Sequence, residues 1–201
     1  MLRYAITDGS ARVGPHQQWA PGIVERCAEL AFSGVDYLLV REKELKAQDL
    51  ARLSRSVLAA VRGSGKTQVL ILGRVDVAVA VGADGVHLAS GAHQLTVEQV
   101  RRVFHGAGRG DPYVSVSCHA LDEVQRARGE GASAILFAPV FGKWIAGAQV
   151  TAGVGLKELQ KACEAAGEVP VFALGAVTPA NAPECVAAGA AGVAGIRMFF
   201  G

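Results

Sequence analysis

The sequence predicts an α/β protein of the (β/α)8 (TIM) barrel class, on three observations. One grammar repeats along the chain: Ser33-Gly34-Val35-Asp36-Tyr37, Val81-Gly82-Ala83-Asp84-Gly85-Val86, Glu130-Gly131-Ala132-Ser133-Ala134-Ile135 and Ala188-Gly189-Ala190-Ala191-Gly192-Val193. In each, an Ala-rich helical stretch closes on a glycine free to adopt the left-handed cap conformation, and a short apolar strand begins. The near-regular spacing leaves room for two strand–helix units per interval, at about 24 residues per unit. Composition agrees, because 51% of the residues are hydrophobic and only 6% aromatic. Ala, Val, Leu and Gly dominate, as in a buried parallel sheet wrapped by small-residue helices.

The elements follow in order. Apolar runs rich in Val, Ile and Leu mark strands at residues 2–7, 35–41, 68–72, 85–88, 113–118, 134–137, 170–174 and 192–196. Helical stretches alternate with them at 23–32, 48–62, 75–81, 96–104, 121–130, 156–166 and 181–188. Eight strands alternating with helices point to a closed barrel, with an open doubly wound sheet as the second choice. Gly201 follows the eighth strand directly, so the eighth helix is expected to be missing or truncated. Barrel wall would then be left for a partner subunit to cover, or the C-terminus is trimmed. No linker or low-complexity stretch divides residues 1–201, which are expected to form one barrel domain.

Charge and cysteine usage exclude several classes. The formal net charge is +2 with no basic stripe, so nucleic acid is not an expected partner. No apolar run is long enough to cross a bilayer, and Met1 leads straight into a strand without a signal-peptide pattern. The four cysteines (Cys27, Cys118, Cys163 and Cys185) are scattered and form no C-x-x-C pair. They read as reduced, mostly buried thiols, and the expected location is cytoplasmic. Gly63-Ser64-Gly65-Lys66-Thr67 mimics the tail of a P-loop, but it closes a helix and opens a strand, so it reads as a turn.

Barrels of this class carry their chemistry at the carboxyl ends of the strands. Those ends hold Thr7-Asp8, Arg41-Glu42-Lys43, Gly73-Arg74, His87, Cys118-His119, Pro139, Gly175-Ala176 and Gly195-Ile196-Arg197. The backbone at Gly175, Ala176, Gly195 and Ile196 closes the seventh and eighth strands, where such barrels grip phosphate. Arg41, Lys43 and Arg74, with Arg197, add positive charge, so the mouth is expected to bind an anion. His119 is the candidate for proton transfer, because imidazole titrates near neutral pH. His87 has a weaker claim as a strand-end residue. Cys118 and His119 are strand neighbours on opposite faces and should not form a dyad.

These residues resemble the thiamin phosphate synthase/TenI superfamily. The resemblance rests on Tyr4-Ala5-Ile6-Thr7-Asp8, Arg41-Glu42-Lys43, Gly73-Arg74-Val75-Asp76, Gly82-Ala83-Asp84-Gly85-Val86-His87-Leu88, Ser117-Cys118-His119, Pro139-Val140-Phe141 and Ala173-Leu174-Gly175-Ala176, in order over nearly the whole chain. It implies a (β/α)8 barrel and a phosphorylated thiazole as ligand. In the synthase branch it implies joining of a pyrimidine pyrophosphate to a thiazole phosphate. Magnesium is held there by one Asp in an Asn-Asp-Arg-Val-Asp motif and another in a Gln-x-Asp-Leu motif. Here those regions read Leu72-Gly73-Arg74-Val75-Asp76 and Ala89-Ser90-Gly91-Ala92-His93-Gln94-Leu95, and Gly142-Lys143-Trp144-Ile145 stands where that branch has a Thr-x-Thr-Lys pyrophosphate loop.

The TenI branch is the more similar in its Gly-Arg-Val-Asp, Ser-Gly and Ser-x-His segments. It implies a thiazole tautomerase, an isomerase that aromatises a carboxythiazole phosphate. His119 would move the proton, with no metal and no cofactor. The alternatives are a magnesium-dependent synthase and a silent thiazole or thiamin phosphate binder. Departures from the family are Ala176 for the second glycine of a Gly-Gly pair, Arg197 after the eighth strand, and Lys143-Trp144. A homodimer is compatible with the short C-terminus, and no membrane partner is expected.

Overall fold

The computed structural model describes residues 1–11, 22–91, 95–145 and 148–201. Eight parallel strands close into a barrel: β1 (Leu2–Ile6), β2 (Tyr37–Val40), β3 (Gln68–Leu72), β4 (Gly85–Leu88), β5 (Tyr113–Cys118), β6 (Ala134–Phe137), β9 (Val171–Ala173) and β10 (Gly192–Gly195). A separate antiparallel hairpin, β7 (Lys143–Ile145) and β8 (Ala148–Thr151), is inserted after β6. Around the barrel the order is β1-β10-β9-β6-β5-β4-β3-β2, and β1 closes the ring by pairing with both β10 and β2. The helices are α1 (Ile23–Phe32), α2 (Ala47–Val61), α3 (Val75–Val81), α4 (Val97–Gly106), α5 (Leu121–Gly129), α6 (Leu156–Ala166), α7 (Ala182–Ala187) and α8 (Arg197–Phe200).

Strand alternation sorts side chains into two apolar layers. Outward residues such as Leu38, Val40, Ile71, Val86, Val114, Ile135 and Val193 meet the helices in the larger core. Inward residues Tyr4, Ile6, Leu39, Leu70, Leu136 and Phe172 fill the barrel itself. At its lower end Tyr4, Tyr37, Tyr113 and Phe172 stack and cross with ring centroids 4.7–5.6 Å apart. β4 and β5 approach closely at Gly85, where a Cβ would lie 1.9 Å from the Tyr113 carbonyl oxygen.

Arginines stitch the base. Arg101 donates to the Gly131 carbonyl (2.8 Å), Arg109 to that of Val79 (3.1 Å) and Arg128 to that of Ala165 (3.3 Å). Arg3 makes the same kind of bond to Ser33. Each guanidinium sits at the C-terminal end of a helix, where free carbonyls and the negative dipole end favour a cation.

One feature differs from the sequence reading, and the eighth helix is truncated as expected. The hairpin β7–β8 was not anticipated, because its strands are short and lack a clear apolar–polar alternation. The eighth helix is the single turn α8, and it seats the buried Phe199 against Ala5, Leu30 and Val35. Phe199 thus covers part of the wall beside β1 and α1. Residues 62–67 form the expected turn, with a 3₁₀ segment Arg62–Ser64 and Gly65 at φ 71°. No described helix is long and apolar enough to cross a membrane.

Candidate functional site

The carboxyl ends of β4, β5 and β6 bring together His119, Ser90 and the Ala138 carbonyl. His119 Nδ1 lies 2.6 Å from the Ala138 carbonyl oxygen and Nε2 lies 2.8 Å from Ser90 Oγ. A carbonyl only accepts, so Nδ1 carries a proton, and Nε2 is hydrogen-bonded to the Ser90 hydroxyl. The His119 backbone N–H donates to the Glu123 carboxylate at 2.5 Å, which ties the residue to the first turn of α5. The imidazole is thus exposed at the rim but held at both nitrogens. Cys118 beside it points outward and is buried, and burial pushes its thiol up to about 12. The pair does not form a dyad.

Beneath the rim a polar chain runs into the barrel. The Tyr4 hydroxyl and Ser115 Oγ are 2.9 Å apart, His87 Nδ1 is 2.9 Å from the same Ser115 Oγ, and His87 Nε2 is 2.8 Å from Ser117 Oγ. Tyr4 and Ser115 have no exposed surface and His87 is 3% exposed. Burial lowers the His87 pKa to about 4, so the ring is neutral at physiological pH. The sequence reading gave His87 a weak claim, quoted Ser117 only as part of the Ser-x-His segment, and assigned neither serine a role. The signal was available: Tyr113, Ser115 and Ser117 share one face of a strand whose other face is Val114, Val116 and Cys118.

The cationic residues expected at the mouth differ in their commitments. Arg41 is half-buried at the end of β2, and its backbone N–H donates to the fully buried Thr7 Oγ1 at 2.8 Å. Lys43 is exposed and lines a 240 Å³ cleft with Glu42, Leu72, Gly73 and Arg74. Arg74 is engaged in a two-pronged pair with Asp76, Nε to Oδ1 at 2.9 Å and Nη2 to Oδ2 at 2.6 Å. Hydrogen bonding to Arg74 holds the Asp76 carboxyl below its ordinary range. Glu42, within the same charge run, is 4% exposed. Its carboxylate accepts the backbone N–H groups of Gly9 (3.2 Å) and Ala11 (3.0 Å), fastening the segment after β1 to the rim.

Across the mouth, Gly175 takes φ 100°, and a Cβ there would lie 2.6 Å from Pro139 Cα. Only glycine fits so close an approach. Ala176 adopts φ 46°, and its carbonyl accepts from Asn181 Nδ2 at 3.2 Å. Gly195 ends β10, and Ile196 caps α8 from the barrel's inner face. Arg197 is exposed. The side chains of Lys143 and Trp144, and residues Ala92, His93 and Gln94, lie outside the described residues.

The positions at which the resemblance implies magnesium carboxylates do not supply them. Gly73 occupies the turn before α3, and Ala89, Ser90 and Gly91 follow β4. Asp76 is committed to Arg74. Among the described residues no group of three or more His, Cys, Asp or Glu is placed to hold a metal ion. A divalent cation prefers several oxygen ligands with carboxylates among them, and this donor set does not fit one.

Fold and site together define a class, a parallel (β/α)8 barrel with a polar mouth at its carboxyl end. Residues 4–199 match the family described as thiamine monophosphate synthase, and the chain belongs to that family. It is 34% identical over 196 residues to the "Putative thiamine-phosphate synthase 2" of Aquifex aeolicus, covering 98% of this chain and 96% of the relative. It is 39% identical over 191 residues to the "Putative thiamine-phosphate synthase" of Geobacter sulfurreducens, covering 95% and 83%. Among solved structures it resembles the thiamine phosphate pyrophosphorylase of Pyrococcus furiosus, with TM-score 0.78 and 25% identity over 97% of this chain and 85% of that one.

These relatives correct the functional expectation. They are named as synthases, which are transferases, so the tautomerase and isomerase reading and the assignment to the TenI branch do not stand. The error is one of extent. The segments that prompted that reading lie at the ends of β3, β4 and β5, and their likeness covers only a few residues of a match that spans residues 4–199.

Proposed function

We propose that this barrel binds a thiazole-phosphate-type small molecule at its mouth and joins it to a pyrimidine pyrophosphate, forming thiamine phosphate. The observation that carries the reading is the identity of 34% with a synthase-named relative across 98% of the chain. In the coupling the thiazole ring nitrogen attacks the pyrimidine methylene carbon, a C–N bond forms, the C–O bond breaks, and pyrophosphate leaves with the electron pair. The protein's part is to orient the two rings and offset the departing charge. The backbone at Gly175–Ala176 and Gly195–Ile196 holds the thiazole phosphate. Arg41 and Lys43 at the end of β2 face the departing pyrophosphate, since Arg74 is already paired with Asp76. His119, anchored at Nδ1 to the Ala138 carbonyl, holds the Ser90 hydroxyl beside the rings.

A second reading is favoured by one observation, the absence of carboxylates at Gly73 and at residues 89–91: a barrel that binds the thiazole phosphate without coupling it. Incubation with both substrates and magnesium, followed by fluorescent detection of oxidised thiamine phosphate, separates the two. Product is expected, with Lys43→Ala and Arg41→Ala each slowing it about 10- to 100-fold. Tight binding of thiazole phosphate with no product would support the silent binder, and neither binding nor product would refute both. Because no carboxylates are gathered for it among the described residues, magnesium titrated into the free protein should give no binding heat by calorimetry.

A further inference from the structure

The run Arg41-Glu42-Lys43 at the end of β2 turns its middle residue inward. Glu42 is 4% exposed, while Arg41 is half-buried and Lys43 is exposed. A carboxylate between two surface cations ordinarily stays in water beside them. Here each of its oxygens accepts a backbone N–H instead, Oε1 that of Gly9 at 3.2 Å and Oε2 that of Ala11 at 3.0 Å. The backbone of Glu42 is committed as well, because its carbonyl accepts the Leu45 N–H at 3.3 Å and closes the turn that carries Lys43. Just before it, the Arg41 N–H donates to Thr7 Oγ1 at 2.8 Å.

These bonds aim the two cations apart. The Arg41 guanidinium leans toward the segment after β1, with Nη1 3.8 Å from the point where a Cβ on Gly9 would stand. Lys43 lines the cleft on the β3 side, with Leu72, Gly73 and Arg74. We infer that Glu42 is a positioning residue for the leaving group: its buried carboxylate locks the segment after β1 to the end of β2 and so fixes Arg41 and Lys43 on either side of that strand, where an anion with two phosphorus centres meets both. A carboxylate suits the place because both of its oxygens only accept, whereas an amide of the same shape brings a donor against one of the N–H groups. The assignment rests on the reading of the mouth as the place where pyrophosphate departs.

Position and charge predict opposite signs. Glu42→Gln removes a negative charge from beside an anion site, which by Coulomb attraction alone tightens anion binding, whereas a broken lock weakens it. Calorimetric titration with inorganic pyrophosphate should show binding by Glu42→Gln weakened about 5- to 30-fold. Thiazole phosphate, gripped after β9 and β10, should bind within about threefold of the wild type in the same variant. Glu42→Asp keeps the charge but is one methylene too short, and it should weaken pyrophosphate about 3- to 10-fold. This second variant carries the test should Glu42→Gln fail to fold. Tighter or unchanged pyrophosphate binding in Glu42→Gln, an Asp variant equal to the wild type, or an equal loss for both ligands overturns the positioning role. Proton–nitrogen correlation spectra of the free protein read the lock without any ligand, and the Gly9 and Ala11 amides should be displaced in Glu42→Gln. Unmoved amides overturn the lock whatever the protein binds. Displaced amides in a protein whose wild type binds neither pyrophosphate nor thiazole phosphate overturn the reading of the mouth and, with it, the service of Glu42 to a leaving group.

Discussion

His87 shows what one buried residue does to the behaviour of the chain. Its folded pKa of about 4 lies below the ordinary 6.5, because burial penalises the charged ring. Between those values the unfolded chain takes up a proton that the folded protein refuses. The contribution to stability is therefore fully present above pH 6.5 and is lost as the pH falls toward 4. Urea unfolding should show a loss of about 2 kcal/mol between pH 7.5 and pH 5 from this residue, and His87→Asn should flatten that slope. An unchanged slope in the variant would place the pH dependence elsewhere. At this scale the sequence was partly legible. His119 could be placed at the rim because it follows an apolar run and precedes a helix. The partners of His119 and His87, Ser90, Ser115 and Ser117, come from the neighbouring strand or the segment after it. A serine inside an apolar run carries no mark of what stands opposite it. Glu42 was hidden differently, since its buried carboxylate sits between two ordinary surface cations.

The elements were the most legible part of the chain. Helix α4 begins on Thr96, whose hydroxyl accepts from the Gln99 N–H at 3.2 Å while Gln99 Oε1 accepts from the Thr96 N–H at 2.8 Å. Such reciprocal capping is visible as a Thr and Gln three residues apart, and Thr96→Ala should cost about 1 kcal/mol. The arginine clamps at the helix ends act between elements. Arg109→Ala leaves the Val79 carbonyl with only the Gly82 N–H at 3.3 Å and opens the space beside Gly82, where a guanidinium nitrogen lies 3.4 Å from the Cβ position. This bond is exposed, so the expected loss is at most about 1 kcal/mol, or roughly 2–4 °C in Tm by calorimetry. No change would show that water replaces the clamp without cost. The hairpin β7–β8 was illegible because each strand is too short to display a period, and its partner is the adjacent segment rather than the barrel.

For the molecule as a whole, closure was legible and branch was not. The repeated helix–glycine–strand grammar reports a backbone requirement, which every barrel of this build shares. The choice between a transferase and an isomerase was read from three short segments at the rim, whereas the likeness to synthase-named relatives runs over nearly the whole chain. Closure itself has a measurable consequence. The short α8 seats Phe199 at 5% exposure against β1 and α1, beside the seam where β10 meets β1. Phe199→Ala should cost about 3–5 kcal/mol and lower Tm without altering the affinity of ligands at the mouth. A stable variant with weakened binding would instead mean that the last turn belongs to the site.

The stacked rings of Tyr4, Tyr37, Tyr113 and Phe172 leave the cylinder without a lower exit. A vessel with a single opening is filled and emptied in sequence. Of two molecules that meet inside it, the one resting deeper arrives first and departs last, so the order of addition and release in any two-substrate reaction here is set by that aromatic floor rather than by the relative affinities.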